Sequence, residues 1–407
     1  MSPDRIRSLG ILGGGIFFSI IGLAQPFFTL YAQELGASTL TIGLLVTLRA
    51  FAPLVIALPS GQLIDCIGPV RMLIYGMAFL VASLVLSILA QGVPLLVVSQ
   101  VLLGVSIVIS ASSLQVLVST GEQVARNAAI NRYSMWMSGG GVIGPVIGGL
   151  LVSVFADPVT GHRGAFAAAA AAGFALLVLL LFIDRRVPGP RLRQGAPRVR
   201  EVFSVGGILN SYRWGFGLAG HRSVRFGLGA TFIIMYMQSF YTSFLPLLLD
   251  SFGYATMPIA LVLAGHGLSA TASRFMLEAV MRRVSLPAIL TAAGFVASCC
   301  FLLTPFAAPS VIAVFVVVSV MGAAVGLNLP VSLMVMVDAV GEEERGKLMG
   351  LRLLVNRIAQ MLSPAMFGAL GGALGLSAAF SGGGLFLLAT MFGFSAVVGR
   401  PRRGGDA

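Results

Sequence analysis

Apolar stretches of about 20 residues recur from one end of the chain to the other, separated by short polar breaks. A helix rises 1.5 Å per residue, so each stretch is long enough to cross a hydrocarbon core roughly 30 Å thick. The spacing predicts twelve membrane-spanning helices, at 9–32, 40–60, 71–92, 94–118, 132–156, 164–184, 226–249, 256–278, 285–306, 309–337, 346–373 and 377–399. The first stretch continues through Gln25 and Pro26 without a small-residue cleavage pattern, so it reads as a spanning helix, not a removable signal.

Composition agrees with lipid as the solvent. Of 407 residues, 57% are hydrophobic and 10% charged, and the mean hydropathy is +0.98, far too apolar for a water-exposed surface. A net charge of +12 would suggest nucleic acid in a soluble domain, but the placement of the basic residues excludes that partner. Of 26 Lys and Arg, Arg163 falls in a predicted outer loop and Arg49 and Arg357 lie deep in spans; all others sit in or beside one set of alternate loops. By the positive-inside rule those loops and both termini are cytoplasmic, in a bacterial-type inner membrane. Cys66, Cys299 and Cys300 form no ligand spacing, and His162, His221 and His266 are scattered. Neither a metal site nor a disulfide framework is expected, and no cofactor.

The long polar stretch near 185–222 holds Pro188, Gly189, Pro190 and Pro197 among arginines, and reads as a cytoplasmic linker. It divides the chain into six-helix bundles at 1–184 and 223–407. These halves repeat. Leu35, Gly36, Thr39, Ile42 and Leu44 recur 217 positions later as Phe252, Gly253, Thr256, Ile259 and Leu261. Arg126, Pro145 and Gly149 recur 219 positions later as Arg345, Pro364 and Gly368. The fold class is therefore an all-α polytopic membrane protein of two pseudo-symmetric bundles, an arrangement that places a substrate site between the halves near mid-depth.

After the second predicted span comes Gly61-Gln-Leu-Ile-Asp65-Cys-Ile-Gly68-Pro-Val-Arg71. It resembles the loop motif of the major facilitator superfamily, although Cys66 replaces the usual basic residue and leaves Arg71 as the remaining one. Glycines allow a tight turn, and Asp65 can pair with an arginine or face a helix N-terminus in one of two conformations. The fifth predicted span carries Gly140, Gly144, Pro145, Gly148 and Gly149, similar to a motif of the drug-exporter branches. Two roles stay open for it: close packing of helices at the glycines, or a bendable gate at the proline. The stretch Asp338 to Gln360 resembles the corresponding loop and helix of the second half. Gln100 stands where related proton-driven exporters carry an arginine, and the first span lacks their acidic residue. Proton coupling is thus implied by the resemblance alone.

Charge deep in a span costs about 2.5–3.5 kcal/mol on insertion scales, so the exceptions are functional candidates. Arg49 and Arg357 lie near mid-depth with no carboxylate at that level. They bind an anionic or polyoxygenated substrate, or else snorkel, or bond backbone carbonyls and stabilise the helix packing. His266 falls 217 positions after Arg49 and is titratable near neutrality, or is a buried packing histidine. Gln25, Gln238, Asn356, Tyr236 and Tyr241 are candidates for lining the cavity, and Arg274 for an interface anchor. No paired carboxylates, cysteine–histidine dyad or phosphate loop suggests an enzyme. Two functions are carried forward for a monomer in lipid: proton-coupled efflux of a drug or metabolite by alternating access, or import or exchange of an organic anion recognised by Arg49 and Arg357.

Overall fold

A computed structural model describes residues 3–119, 123–185, 221–337 and 345–398, all of them helices and short connections. The first half contains α1 (Pro3–Ala24), α2 (Phe28–Glu34), α3 (Thr39–Ile67), α4 (Pro69–Leu89), α5 (Val93–Val118), α6 (Gln123–Ser153) and α7 (Pro158–Asp184). The second contains α8 (Arg222–Ser251), α9 (Thr256–Met281), α10 (Leu286–Ala307), α11 (Val311–Val337), α12 (Arg345–Leu374) and α13 (Leu376–Val398). Helices α1 and α2 are one span broken at Gln25–Phe27. Pro26 has no N–H to give the Gly22 carbonyl, so the helical ladder stops there and restarts. Twelve spans result, with the expected bounds extended by several residues at many ends. Most of the expected linker, 186–220, lies outside the described residues.

Successive spans alternate in direction. Both described chain ends and the flanks of 186–220 lie on one side, called here the terminal side; the connections at 35–38 and 252–255 lie on the far side. Gly36 and Gly253 end α2 and α8 with φ of 83° and 81°, left-handed values that glycine adopts without a Cβ penalty. The repeat extends to burial. Ile42 and Ile259 are each 1% exposed, whereas Leu44 and Leu261 are 50% and 48% exposed on the lipid-facing surface.

Nine spans among the described residues are long and apolar enough to cross a membrane, with α1 and α2 counted together. Those outside the nine are α3, α9 and α12. They carry Arg49, then His266 and Arg274, then Arg352 and Arg357. Helix α3 lies against α12, and α6 against α9, as pseudo-equivalent pairs.

Within each half, glycine sets the closest crossings. A Cβ at Gly104 of α5 would stand 2.2 Å from the Arg49 carbonyl oxygen, and one at Gly322 of α11 would stand 2.3 Å from that of His266. Gly104→Leu is therefore expected to force α3 off α5 at a cost of about 1–3 kcal/mol. The melting temperature of the detergent-purified protein should fall, while Gly139→Leu, where a Cβ meets nothing within 4 Å, should leave it in place. Equal melting of both variants would contradict the tight crossing.

Arg163, expected in a loop, lies in α7 and ties the far ends of three spans together. Its Nε donates to the Tyr31 hydroxyl at 3.2 Å and its Nη2 to the Ala90 carbonyl at 2.9 Å; the Tyr31 hydroxyl donates to the Ser87 carbonyl at 2.9 Å. Asp157 caps α7 by accepting from the Thr160 N–H at 2.9 Å. Hydrogen bonds from the Thr160 side chain and backbone hold its carboxyl below the usual carboxylate range. In the second half, Phe240 packs its ring 4.3 Å from Phe367 and 4.5 Å from Phe380, centroid to centroid.

Candidate functional site

Between the halves lies a cavity of about 500 Å³. Helices α1, α3, α5 and α6 line it from one half and α8, α9, α11 and α12 from the other. Its walls are mostly apolar, with Phe18, Ile21, Val46, Ile107, Met137, Met235, Leu263 and Val325 among them. The charged lining is all basic: Arg49, Arg274 and Arg357, with His266 as a further titratable group. No described lining residue is acidic.

The register of α3 on α12 brings two of the arginines level. The Thr47 hydroxyl donates to the Met361 carbonyl at 3.3 Å, and a Cβ at Gly43 would lie 2.8 Å from Gly368 Cα. As the two helices run in opposite directions, Arg49 falls opposite the turn holding Arg357 and Gln360. Arg357 donates through Nη1 to Gln360 Oε1 at 2.8 Å. Arg274 donates through Nη1 to Ser138 Oγ of α6 at 3.1 Å and through Nε to the Gly326 carbonyl at 3.4 Å. Arg49 has no hydrogen bond or ion pair with any described residue, and its side chain faces the cavity.

Arg49, Arg357, His266, Gln25, Gln238 and Tyr241 thus meet in one cavity. Two expected residues do not. Tyr236 is 3% exposed, donates to Met366 Sδ at 3.2 Å, and stacks on Phe232, inside the second bundle. Asn356 does not line the cavity; its Oδ1 is buried without a partner. Arg274, expected as an anchor at the membrane interface, instead lines the cavity and bonds Ser138 across the halves. Ser138, Ser239, Thr242, Thr271 and Gln360 complete the polar lining. Their signal was present as i, i+3 and i, i+4 spacing from the residues already singled out, Gln238 to Thr242 and Arg357 to Gln360.

The loop after α3 also differs from expectation. The helix continues to Ile67, so Gly61 and Asp65 are helical, and the turn is Gly68 alone with φ of 94°. The side chain of Asp65 lies outside the described residues. Arg71 Nε instead meets the Asp184 carboxylate at the end of α7, at 3.3 and 3.4 Å.

The α6 motif divides between packing and contact across the halves. A Cβ at Gly140, Gly144 or Gly148 would come within 2.5–2.7 Å of α1 backbone atoms. A Cβ at Gly149 would instead come 2.4 Å from the Ala260 side chain of α9. Pro145 lines the cavity. Gly149 against Ala260 is the pseudo-equivalent of Gly368 against Gly43, and both contacts lie on the far side. There Gln33 Nε2 also donates to Asp250 Oδ2 at 3.1 Å, two residues 217 positions apart that meet across the halves. These contacts join the two halves on the far side of the cavity.

A basic-lined cavity between two repeated sets of six spans defines a multi-pass membrane protein with a site between its halves. The chain matches the family model of the Major Facilitator Superfamily over residues 10–319 and 227–406, and it belongs to that family of secondary transporters. Its cargo is a small molecule. Solved structures share the fold at low identity. A bacterial homolog of the human lysosomal transporter Spinster is 17% identical at a TM-score of 0.74, covering 97% of this chain and 95% of that one. The nucleoside transporter NupG is 12% identical at 0.78, covering 96% and 99%. The human organic anion transporter MFSD10 is 16% identical at 0.60, covering 97% and 100%. No curated protein matches the chain.

Proposed function

We propose that the protein carries a small organic anion across the membrane by alternating access, as an importer or exchanger. The observation that carries this reading is a cavity with three arginines and, among the described residues, no facing carboxylate and no partner for Arg49. Guanidinium groups bind carboxylate, sulfate or phosphate through paired hydrogen bonds, and a water-poor cavity strengthens that attraction. The apolar walls accept the remainder of the molecule. Arg49 and Arg357 are the principal ligands, with Gln360 orienting Arg357; Gln25, Gln238 and Thr242 supply hydrogen bonds. The family's scaffold accommodates such cargo, as the organic anion transporter among the structural neighbours illustrates.

The positive-inside rule supports a cytoplasmic terminal side, in a bacterial-type inner membrane. On that topology the far-side contacts between the halves face outward. The halves, 1–184 and 223–407, rock about the α3–α12 and α6–α9 crossings, and the protein works as a monomer surrounded by lipid.

The test is flux into liposomes containing the purified protein, with sulfate, succinate and glucose 6-phosphate beside the cationic drug ethidium. Saturable uptake of at least one anion, absent from protein-free liposomes, is the expected result. Ethidium movement with none of any anion would overturn the reading. It would favour proton-coupled efflux of a drug or metabolite, for which the resemblance of the Gly140–Gly149 segment to exporter motifs is the supporting observation.

A further inference from the structure

We propose that His266 is the proton-carrying residue of the cavity, and that it makes the protein a proton–anion symporter in which both species bind one conformer and cross together. The inference rests on the anion reading above and adds the coupling partner and its sign.

Among the lining residues, arginine and tyrosine ordinarily titrate far above neutrality, and histidine alone titrates near it. His266 is also the pseudo-equivalent of Arg49. Each residue's carbonyl is packed against a glycine of the neighbouring helix, Gly322 and Gly104 respectively. The two side chains therefore enter one cavity at one depth from opposite halves, one with a fixed charge and one with a switchable charge. The Nε2 atom of His266 is buried without a hydrogen-bond partner.

The groups around that ring decide the sign of coupling. From α8, Tyr241 stands 6.1 Å away between ring centroids. Helix α11 carries no charged residue and offers Ser319 and Gly322. Helix α6 offers Ser138, Gly141 and Val142 at that level. Arg274 follows on α9 itself, with Glu278 a further turn away at the terminal end, and Arg49 and Arg357 face the same cavity. Every charge among the described cavity residues is positive, so a second proton on the imidazole is disfavoured until an anion is present. An anion removes that repulsion, and by reciprocity the imidazolium then holds the anion more tightly. Antiport would require proton and substrate to compete, as a cation and a proton do for a carboxylate. This cavity reverses that relation: the empty carrier returns with neutral His266, and the loaded carrier holds one proton with its anion.

The experiment uses the full chain in liposomes with sulfate, succinate and glucose 6-phosphate, and a pH-sensitive dye inside. With the outside acid, anion uptake should accelerate and about one proton should enter per anion. Sulfate affinity should fall roughly tenfold per pH unit above the titration of the imidazole. His266→Arg is expected to bind sulfate with altered affinity, to lose that pH dependence and to ignore the gradient. His266→Gln should bind weakly, also without pH dependence. Anion uptake indifferent to the gradient, or driven by the opposite one, overturns symport and leaves the anion reading standing. A gradient response that survives in His266→Arg overturns the assignment of the proton to this residue. Absence of both binding and flux for all three anions overturns the anion reading and this inference with it.

Discussion

In the Gly43→Leu variant the far side of the protein is expected to stay open and transport to collapse. A Cβ at Gly43 would stand 2.5 Å from the Pro364 carbonyl oxygen and 2.8 Å from Gly368 Cα, too close for either backbone to absorb. The contact joins opposite halves, so the added atoms penalise the state in which the far side is closed and spare the one in which it is open. Overpacking of this kind costs about 1–3 kcal/mol, which shifts a two-state equilibrium roughly 5- to 150-fold. Ala260 stands at the pseudo-equivalent position against Gly149, and Ala260→Leu is expected to act the same way. The measurement is the labelling rate of a single reporter cysteine at Gln238, in a chain whose Cys66, Cys299 and Cys300 are replaced, using an impermeant maleimide added from the far side. Faster labelling with slower transport is the expected pair of results. Unchanged labelling in both variants would show that these crossings do not close the cavity.

The fold was legible because lipid leaves so few solutions. Backbone polar groups in hydrocarbon must be satisfied within the segment, so twelve apolar stretches imply twelve helical spans. The repeat was legible too, because the structure keeps Ile42 and Ile259 buried and Leu44 and Leu261 exposed, as a shared register requires. Helix ends were less so, since charged and polar residues continue the helices beyond the apolar stretch, as Gly61 and Asp65 do in α3.

The cavity was half legible. A mid-depth charge such as Arg49 is costly enough to stand out from composition alone, and His266 followed from it by symmetry. Tyr236 and Asn356 did not follow, because sequence gives a residue's depth without the face of the helix it occupies. Tyr236 and Tyr241 differ by five positions, or about 140° around a helix, and only Tyr241 lines the cavity. The role of Arg274 depended on a contact across the halves with Ser138, which no local pattern encodes.

Arg49→Gln is expected to weaken anion binding more than any other single change in the cavity. The three arginines differ in what already satisfies them. Arg274 bonds Ser138 and the Gly326 carbonyl, and Arg357 bonds Gln360; Arg49 has no protein partner among the described residues, so its full donor set is free for substrate. Removing one partner of a desolvated, hydrogen-bonded charge pair costs about 2–5 kcal/mol, or roughly 30- to 4,000-fold in dissociation constant. Arg49→Lys keeps the charge and loses the planar fork, so its loss should be smaller. Arg357→Gln should fall next in order and Arg274→Gln last. Calorimetric titration of the purified variants with the best-binding anion of the liposome panel measures this series. The carbonyl of Arg49, not its side chain, meets Gly104, so Arg49→Gln should keep the packing of α3 on α5, and its melting temperature checks that directly. An unchanged dissociation constant in a stably folded Arg49→Gln protein would remove the arginine from the substrate site. It would also leave a buried cation with no ligand to justify its insertion cost, a result compatible only with a structural role.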